Sequence, residues 1–576
     1  MMIDIEYYNK RKTMKLKYIL TVAVLACSAL FTSCLKDLEV ENINPQQLSD
    51  FNEDYIFNKI YSNLVLTGQT GPDGDGDLDD IDEGTSNMTR LIWNLNVLTT
   101  DEAHCWWNDP GMPELNRNTW TNSNVMIKAL YYRLMFGVTL CNFYLDNANG
   151  GDPATLQKRA EARFMRALHY YYLMDLYANP PFLTKLSSDN APQISRADLF
   201  KYLEGELKDI LGETGGSEQL AAPRTTEYGR ADKAAAMMLL ARMYLNAEVY
   251  TGTARWEEAK NYADKTIGTS YKLCTTPKGG FSAYQLLFMG DNDTNGAQEE
   301  IILPAIYDGA TTRAWGGSLH VIAAMTTDAM KQENLFGVLD KNGDPILGYG
   351  TTEAWDIGIR ARKEFSKVFF GATASDASVA KGAPKDITPY VKDDRAIFYT
   401  LGQKLSIEKE DDKNQGLIYM KYNNLHADST AGHDPSGKFV DTDYPMIRLA
   451  EAYLISAEAD ARAHGGTCSS DGVERIKALR QRANVGSGNL YDGVAAASIT
   501  EVKLEDIFQE WSREFGYEGQ RRMVLIRWNR YAGQSAYTWE WMGGTQKGTQ
   551  IDSRFNVFPI PDSDLNANPN LKPNYK

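Results

Sequence analysis

Long apolar runs are scarce in this 576-residue chain. The one that stands out, Ile19–Leu30, has twelve residues, short of the roughly 20 that a membrane-spanning helix needs. Cysteine and histidine are scarce too, six of each. No C-x-x-C pair occurs among them, which disfavours structural zinc and thioredoxin-type chemistry. Positive charge is the minority sign: 60 Lys and Arg stand against 76 Asp and Glu, a formal net charge of −16. Such a chain lacks the basic face that a phosphate backbone requires, so nucleic acid is excluded as the main ligand. No H-E-x-x-H, G-x-S-x-G, Walker A or dinucleotide fingerprint appears in a fitting context. What remains is ample apolar material (43%) and an unusual load of aromatics: 32 Tyr, 20 Phe and 11 Trp. This composition packs a large core and leaves rings over for a surface.

The N-terminus reads as an export signal. Asp4 and Glu6 suit a signal poorly, whereas Met14 followed by Lys15 and Lys17 supplies the basic region that precedes an apolar stretch; Met14 is therefore the expected initiator. Phe31-Thr-Ser33 then leads to Cys34. A cysteine directly after such a site looks like a bacterial lipobox, so Cys34 is the expected lipidation site, and several acyl chains at about 0.8 kcal/mol per buried CH₂ make a stable anchor. Loss of residues 1–33, with five basic and two acidic side chains, leaves a body at −19.

That body is expected to be mainly helical. Phe164, Ala167, Leu168, Tyr171 and Tyr172 fall at i, i+3, i+4, i+7 and i+8, as do Met237, Leu240, Ala241, Tyr244 and Leu245. Leu449, Ala452, Tyr453, Ser456 and Ala457 repeat the frame. Each is the stripe of an amphipathic helix, and the bulky–small–Tyr order is similar to a tetratricopeptide helix. Trp256–Ile267 supplies a partner helix, and Ile476–Ala483 and Ile507–Trp528 continue the helical character. Two stretches depart from it: residues 67–130 are rich in Gly, Asp, Asn and Trp with no helical period, and residues 275–445 mix Gly and Pro turns with short apolar runs such as Ile301-Ile-Leu-Pro304. Loops this long in a compact protein are usually functional, so the two stretches are expected to form one irregular binding face.

Motifs in a fixed order now show a resemblance. They are Leu66-Thr-Gly-Gln-Thr-Gly71, Asp77-Leu-Asp79 with Asp82-Glu-Gly84, and Thr100-Asp-Glu102 leading to Trp106-Trp107. Glu161-Ala-Arg-Phe-Met-Arg166, Gly229-Arg-Ala-Asp-Lys233 and Phe288-Met-Gly-Asp-Asn-Asp293 follow, then Arg448-Leu-Ala-Glu451, Arg513-Glu-Phe515, Glu518-Gly519 and Phe558-Pro-Ile-Pro561. Spread over nearly the whole chain, they resemble the RagB/SusD family of outer-membrane lipoproteins, and within it the starch-binding type. The resemblance implies a SusD-like, tetratricopeptide-like scaffold and no catalysis. It also implies a lipid-anchored place on the outer membrane facing the exterior, and a SusC-type TonB-dependent transporter as partner. The organisation it implies is a signal at 1–33, an anchored segment with a first helix at 34–66, a helical scaffold at 67–274, a glycan-binding insertion at 275–445 and a C-terminal helical part at 446–576.

The starch or malto-oligosaccharide site carries over by local motif. Three aromatics that follow a curved α-glucan fall on Trp107, Trp315 and Trp355; where the family has Tyr, Trp315 is a departure that keeps a flat platform. Arg90 matches an arginine that hydrogen-bonds sugar hydroxyls, and Asn108, across a gap in the match, an asparagine beside the first Trp. Asp291-Asn-Asp293-Thr-Asn295-Gly296 reproduces the opening of a calcium loop, but Ile302 stands where an EF-hand needs Glu. A structural Ca²⁺ on Asp291, Asp293, Asn295 and Glu299 and a plain Asx-rich turn are both open readings. The acidic run Asp73–Asp82 is expected to be a solvated loop, and His104 and His169 core or rim residues. A rival reading keeps the scaffold as a lid for a different glycan, acting mainly through contacts with the transporter.

Overall fold

Polar caps fix where the long helices begin. In the computed structural model, which describes residues 51–574, Asn124 accepts from the Met126 and Ile127 amides and starts α1 (Val125–Asn147). Asp152, with Pro153 in the first turn, does the same for α2 (Pro153–Tyr177). Ser195 caps α3 (Arg196–Ile210), and Asp232 caps α4 (Lys233–Leu245). Each such cap is worth about 1 kcal/mol. After α5 (Trp256–Ile267) the chain leaves the scaffold, returning as α6 (Leu449–Ala463), α7 (Ser470–Arg482), α8 (Leu504–Phe515) and α9 (Arg521–Arg527).

The helices stack in series: α1 on α2, α2 on α3, α3 on α4, α4 on α5, α5 on α6, and α6 on α7 and α8. The striped residues of α2 are all buried. On α4 and α6 the stripes are buried too, except that Met237 and Tyr453 are half-buried at their edges. The expected mainly α scaffold is therefore present, with 42% helix and 6% strand among the described residues. From Glu53 onward the chain forms one unit, so the segments from residue 67 to the C-terminus share one body. Cys34 and the signal lie outside the described residues.

Two expectations need correction. The helical character over Ile507–Trp528 is broken: Tyr517 (φ 64°) and Gly519 (φ 76°) turn left-handed between α8 and α9. The break lets Glu518 turn inward, where it receives Lys421 at 2.6 Å and Arg448 at 2.8 and 2.7 Å. Residues 67–130, expected to be free of helix, contain Met88–Trp93, which runs into a π-turn at Asn94–Leu98, and Met112–Arg117. Six-residue helices are too short to show a stripe.

Short strands tie the insertions down. β1 (Ala103–Cys105), β2 (Ile301–Ala305), β3 (Ile359–Ala361), β4 (Phe398–Tyr399), β5 (Ile418–Tyr419) and β6 (Tyr444–Arg448) make three antiparallel pairs. β2 pairs with β6 and pins the two ends of the 275–445 excursion together. β1 pairs with β3, Ala103 opposite Ala361, and joins the first insertion to the second. The two irregular stretches thus form one face. Cys105, Cys141, Cys274 and Cys468 are free thiols, and no helix among the described residues is long and apolar enough to cross a membrane.

Candidate functional site

The β1–β3 pair positions two of the three expected tryptophans. Trp106 extends the ladder by donating its amide to the Gly358 carbonyl at 3.0 Å. Side chains alternate along an extended strand, so Trp107 faces away from Trp106, whose indole donates to the Ile357 carbonyl. Across the ladder, the Trp355 amide donates to Ala323 at 2.8 Å. Asp356 and Ile357 then turn left-handed (φ 54° and 56°), a conformation costing roughly 1–2 kcal/mol for each non-glycine residue. Glycine is required at 358, because a Cβ there would collide with the Trp107 indole. Trp315 sits just before the helix Gly317–Ala323, and Gly317 (φ 58°) leaves room for the Tyr307 hydroxyl.

The three indoles form one continuous wall. Trp107 and Trp355 have centroids 6.0 Å apart with planes inclined by 54°, and Trp355 and Trp315 are 6.4 Å apart at 44°. The spatial order is therefore Trp107–Trp355–Trp315, with Trp355 in the middle, and neighbouring planes are inclined rather than coplanar. All three are half-buried, each presenting some ring to solvent. The Trp315 indole donates to Asp73 at 2.7 Å and the Trp355 indole to Glu353 at 3.0 Å. Phe439 packs on Trp315 at 5.1 Å, and the Lys438 ammonium lies 4.6 Å from the Trp315 ring.

His320, which sequence reasoning passed over, underlies this wall. Its ring is fully buried, 6.0 Å from Trp93, Trp107 and Trp355, and neither nitrogen has a hydrogen-bond partner. Burial, aided by the nearby Arg90 charge, holds it well below the usual histidine range. It is a neutral flat spacer.

Arg90 reaches the same place from the helix Met88–Trp93, donating to the Gly84 carbonyl at 2.8 Å and lying 3.8 Å from Asp109. A Cβ on Gly84 would touch both Arg90 and Trp315, so the guanidinium stands beside the wall. Asn108 is exposed next to Trp107, at the rim. The acidic run is more engaged than expected: Asp77 takes Lys59 at 2.7 Å and the buried Arg133 at 3.0 Å, and Asp73 holds Trp315. Burial, with Asp82 and Asp73 nearby, pushes Glu83 up to about 7. His104 and His169 have ordinary buried roles: His104 meets Glu410 at 3.0 Å, and His169 the Met165 carbonyl at 2.6 Å.

The four residues of the calcium expectation do not converge on one point. The Asp291 oxygens accept from Asn295 and from the Ala427 amide, and Asn295 accepts from Ala297. Glu299 turns to Arg224 at 3.9 Å, and Asp293 is exposed. Among the described residues no group of three or more His, Cys, Asp or Glu side chains is placed to hold a metal. The donor set as folded is an Asx-rich turn and does not fit a cation cage.

Comparison with known proteins bears on this geometry. Residues 360–576 match the sequence profile of the SusD family, and residues 79–245 match one described as starch-binding, associating with outer membrane. The starch-binding protein SusD of Bacteroides thetaiotaomicron is 35% identical over 98% of this chain and 99% of its own length. SusD-like protein P2 of Formosa agariphila is 24% identical over 96% and 94%. Among solved structures, a SusD superfamily protein of Parabacteroides distasonis covers 90% of this chain and 98% of its own, with TM-score 0.61 and 17% identity. The surface glycan-binding protein A of B. thetaiotaomicron in complex with laminarihexaose covers 91% and 98%, with TM-score 0.58 and 17% identity. The full-length match to SusD, together with the two profile matches, shows that the chain belongs to the SusD family.

Proposed function

We propose that this protein binds an α-1,4-linked glucan, starch or malto-oligosaccharide, on the Trp107–Trp355–Trp315 wall. In this reading it is a lipid-anchored protein of the outer membrane, facing the exterior, that passes the glycan to a SusC-type TonB-dependent transporter. The observation that carries the reading is the succession of inclined, non-coplanar ring planes, 54° and then 44° between neighbours. Sugar rings present C–H faces that pack on aromatic rings. A flat ribbon-like glucan matches coplanar platforms, whereas a coiled α-glucan matches platforms that turn. Arg90 and Asn108 stand where hydroxyls need polar partners, and the low positive charge of the chain suits a neutral polymer. The 35% identity to a starch-binding protein supports the same ligand. The transporter and the anchor rest on family membership and on the Cys34 motif.

The energetics fit a capture-and-release role. Three platforms at about 1–2 kcal/mol each, with a few hydrogen bonds, give about −4 to −7 kcal/mol. That is roughly millimolar to ten-micromolar affinity, weak enough to release the glycan to a partner. Replacing Trp107, Trp315 and Trp355 together by Ala should abolish maltoheptaose binding without unfolding the protein, at a lowered thermal midpoint, because the half-buried rings also cover His320. Retained binding would move the site elsewhere. A second reading, a lid for a different glycan, has one observation in its favour: a structural neighbour with the same fold is in complex with laminarihexaose, a β-linked glucan.

A further inference from the structure

The wall does not end at Trp315. Phe439, packed on Trp315 at 5.1 Å, is also part of the lining of a cavity of about 510 Å³ between the loops 340–350 and 424–437. That volume falls in the ~300–1,000 Å³ range of small-molecule sites. Both loops lead back to the wall. The first continues through Thr351, which donates to the Lys438 carbonyl at 2.7 Å, and Thr352, whose amide donates to Gly437 at 2.7 Å, to Trp355. The second continues to Lys438 and Phe439 against Trp315. Cavity and wall are therefore built by the same two pieces of chain.

The lining is amphipathic and offers no free charge. Half-buried Ile346 supplies apolar surface, with the buried Leu425 and Phe439 beneath it. The two lining carboxylates are spent on their own turns. Asp340 accepts from the Asn342 and Asp344 amides, and Asp434 from those of Ser436, Lys438 and Phe439. His426, the remaining ionisable group in the lining, lies 3.2 Å from the buried Asp441 carboxylate. On this wall Ser429 is exposed and left-handed at φ 62°, a strained position of the kind that clusters at ligand clamps. Its hydroxyl makes no hydrogen bond among the described residues.

We infer that this cavity is a further sugar subsite, taking one neutral glucosyl unit beyond those on the tryptophan wall, with Ile346 as its apolar contact over the buried Phe439 and the Ser429 hydroxyl as a polar contact. The unit comes either from the next residue of a linear chain or from an α-1,6 branch; both present the same pyranose. An anionic sugar is disfavoured because no free cation faces the cavity. The inference rests on the glucan reading of the wall.

The test uses the full chain and three ligands in calorimetry: maltotriose, maltoheptaose, and maltotriose carrying an α-1,6 glucosyl branch. The expected result is that one of the two larger ligands binds about tenfold tighter than maltotriose, the factor that ~1.4 kcal/mol supplies. Ala431→Trp, which fills the cavity, should remove that gain and leave maltotriose binding unchanged. Ser429→Gly relieves the left-handed strain, so it should fold at least as well and lose part of the gain, about threefold. A gain with maltoheptaose that Ala431→Trp removes marks the linear source, and such a gain with the branched sugar marks the branch. No gain with either, or a gain that both variants leave intact, overturns the subsite while the wall stands. No binding of any of the three by the unsubstituted protein overturns the wall and the subsite together.

Discussion

A glycine that touches no ligand sets the position of one platform. Gly358 lies where a Cβ would enter the Trp107 indole, and its φ needs no left-handed turn, so only the ring is displaced by a methyl group. Gly358→Ala is expected to weaken maltoheptaose binding by the contribution of one platform, about 1–2 kcal/mol or roughly 5- to 30-fold, as Trp107→Ala would. Calorimetry on both variants checks this, and an unchanged affinity for Gly358→Ala would show that Trp107 is not a platform. Residues of this kind set what was legible in the sequence. Trp107 and Trp315 could be picked out because Gly and Asn neighbours place them in loops, and the family motifs pointed to the same positions. His320 and Phe439 carry no local signal. One sits in a short apolar helix and the other in a polar loop, and only the β1–β3 pairing and the 426–441 loop bring them to the wall.

At the scale of elements, the motifs that signal the family mostly serve the scaffold. Glu161 on α2 is fully buried and takes Arg230 at 2.7 Å and the Tyr61 hydroxyl at 2.7 Å. Asp232 of the same motif caps α4. Arg448 meets Glu300 at 3.0 Å, Glu514 at 2.7 Å and Glu518 at 2.7 Å, all buried. These contacts join the strand β6, the helix α8 and the break after it. Burial pulls the neighbouring Lys421 down to about 8, against the pull of Glu518. Arg448→Met would leave three carboxylates short of a partner, and removing one member of a buried network costs about 3–5 kcal/mol. The urea midpoint should fall accordingly, with glycan affinity retained below the transition; a loss under 1 kcal/mol would mean that the network is replaceable by packing. The stripes of α2, α4 and α6 were legible because fifteen or so residues of period are enough to show a face. The break at Tyr517–Gly519 was not legible, because it answers to Arg448 and Lys421, distant in sequence.

For the whole molecule, buried histidines and buried carboxyls pull the pH dependence of stability in opposite directions. Burial holds His104 near 3, Glu410 partly opposing it, and His169 near 4; His320 is displaced in the same direction. In the unfolded chain each takes a proton near 6.5, so their contribution is present above that pH and is lost as the pH falls. His104 and His169 together should lose about 4 kcal/mol between pH 7 and pH 5. His426 acts in the opposite sense: burial lowers its pKa, but the Asp441 contact and the nearby Asp291 outweigh this and raise it. So do Glu83, Glu102 and Glu364, whose carboxyls burial raises to about 7, 8 and 7, so that they take protons in the folded state as the pH falls from 7 to 5. NMR titration of the imidazole resonances separates the two sets: His104 and His169 should stay neutral down to pH 5, and protonation of either between pH 7 and pH 5 would contradict the neutral-histidine assignment.

A wall of three inclined indoles that selects a coiled α-glucan would reveal itself in calorimetric titration of the full chain. Maltoheptaose and a linear β-glucan oligosaccharide of similar length would be compared at the same pH. Maltoheptaose should bind with a Kd between roughly ten micromolar and one millimolar, and the β-glucan should give no measurable heat. Binding of the β-glucan with equal or higher affinity, or binding of neither, would contradict that selection.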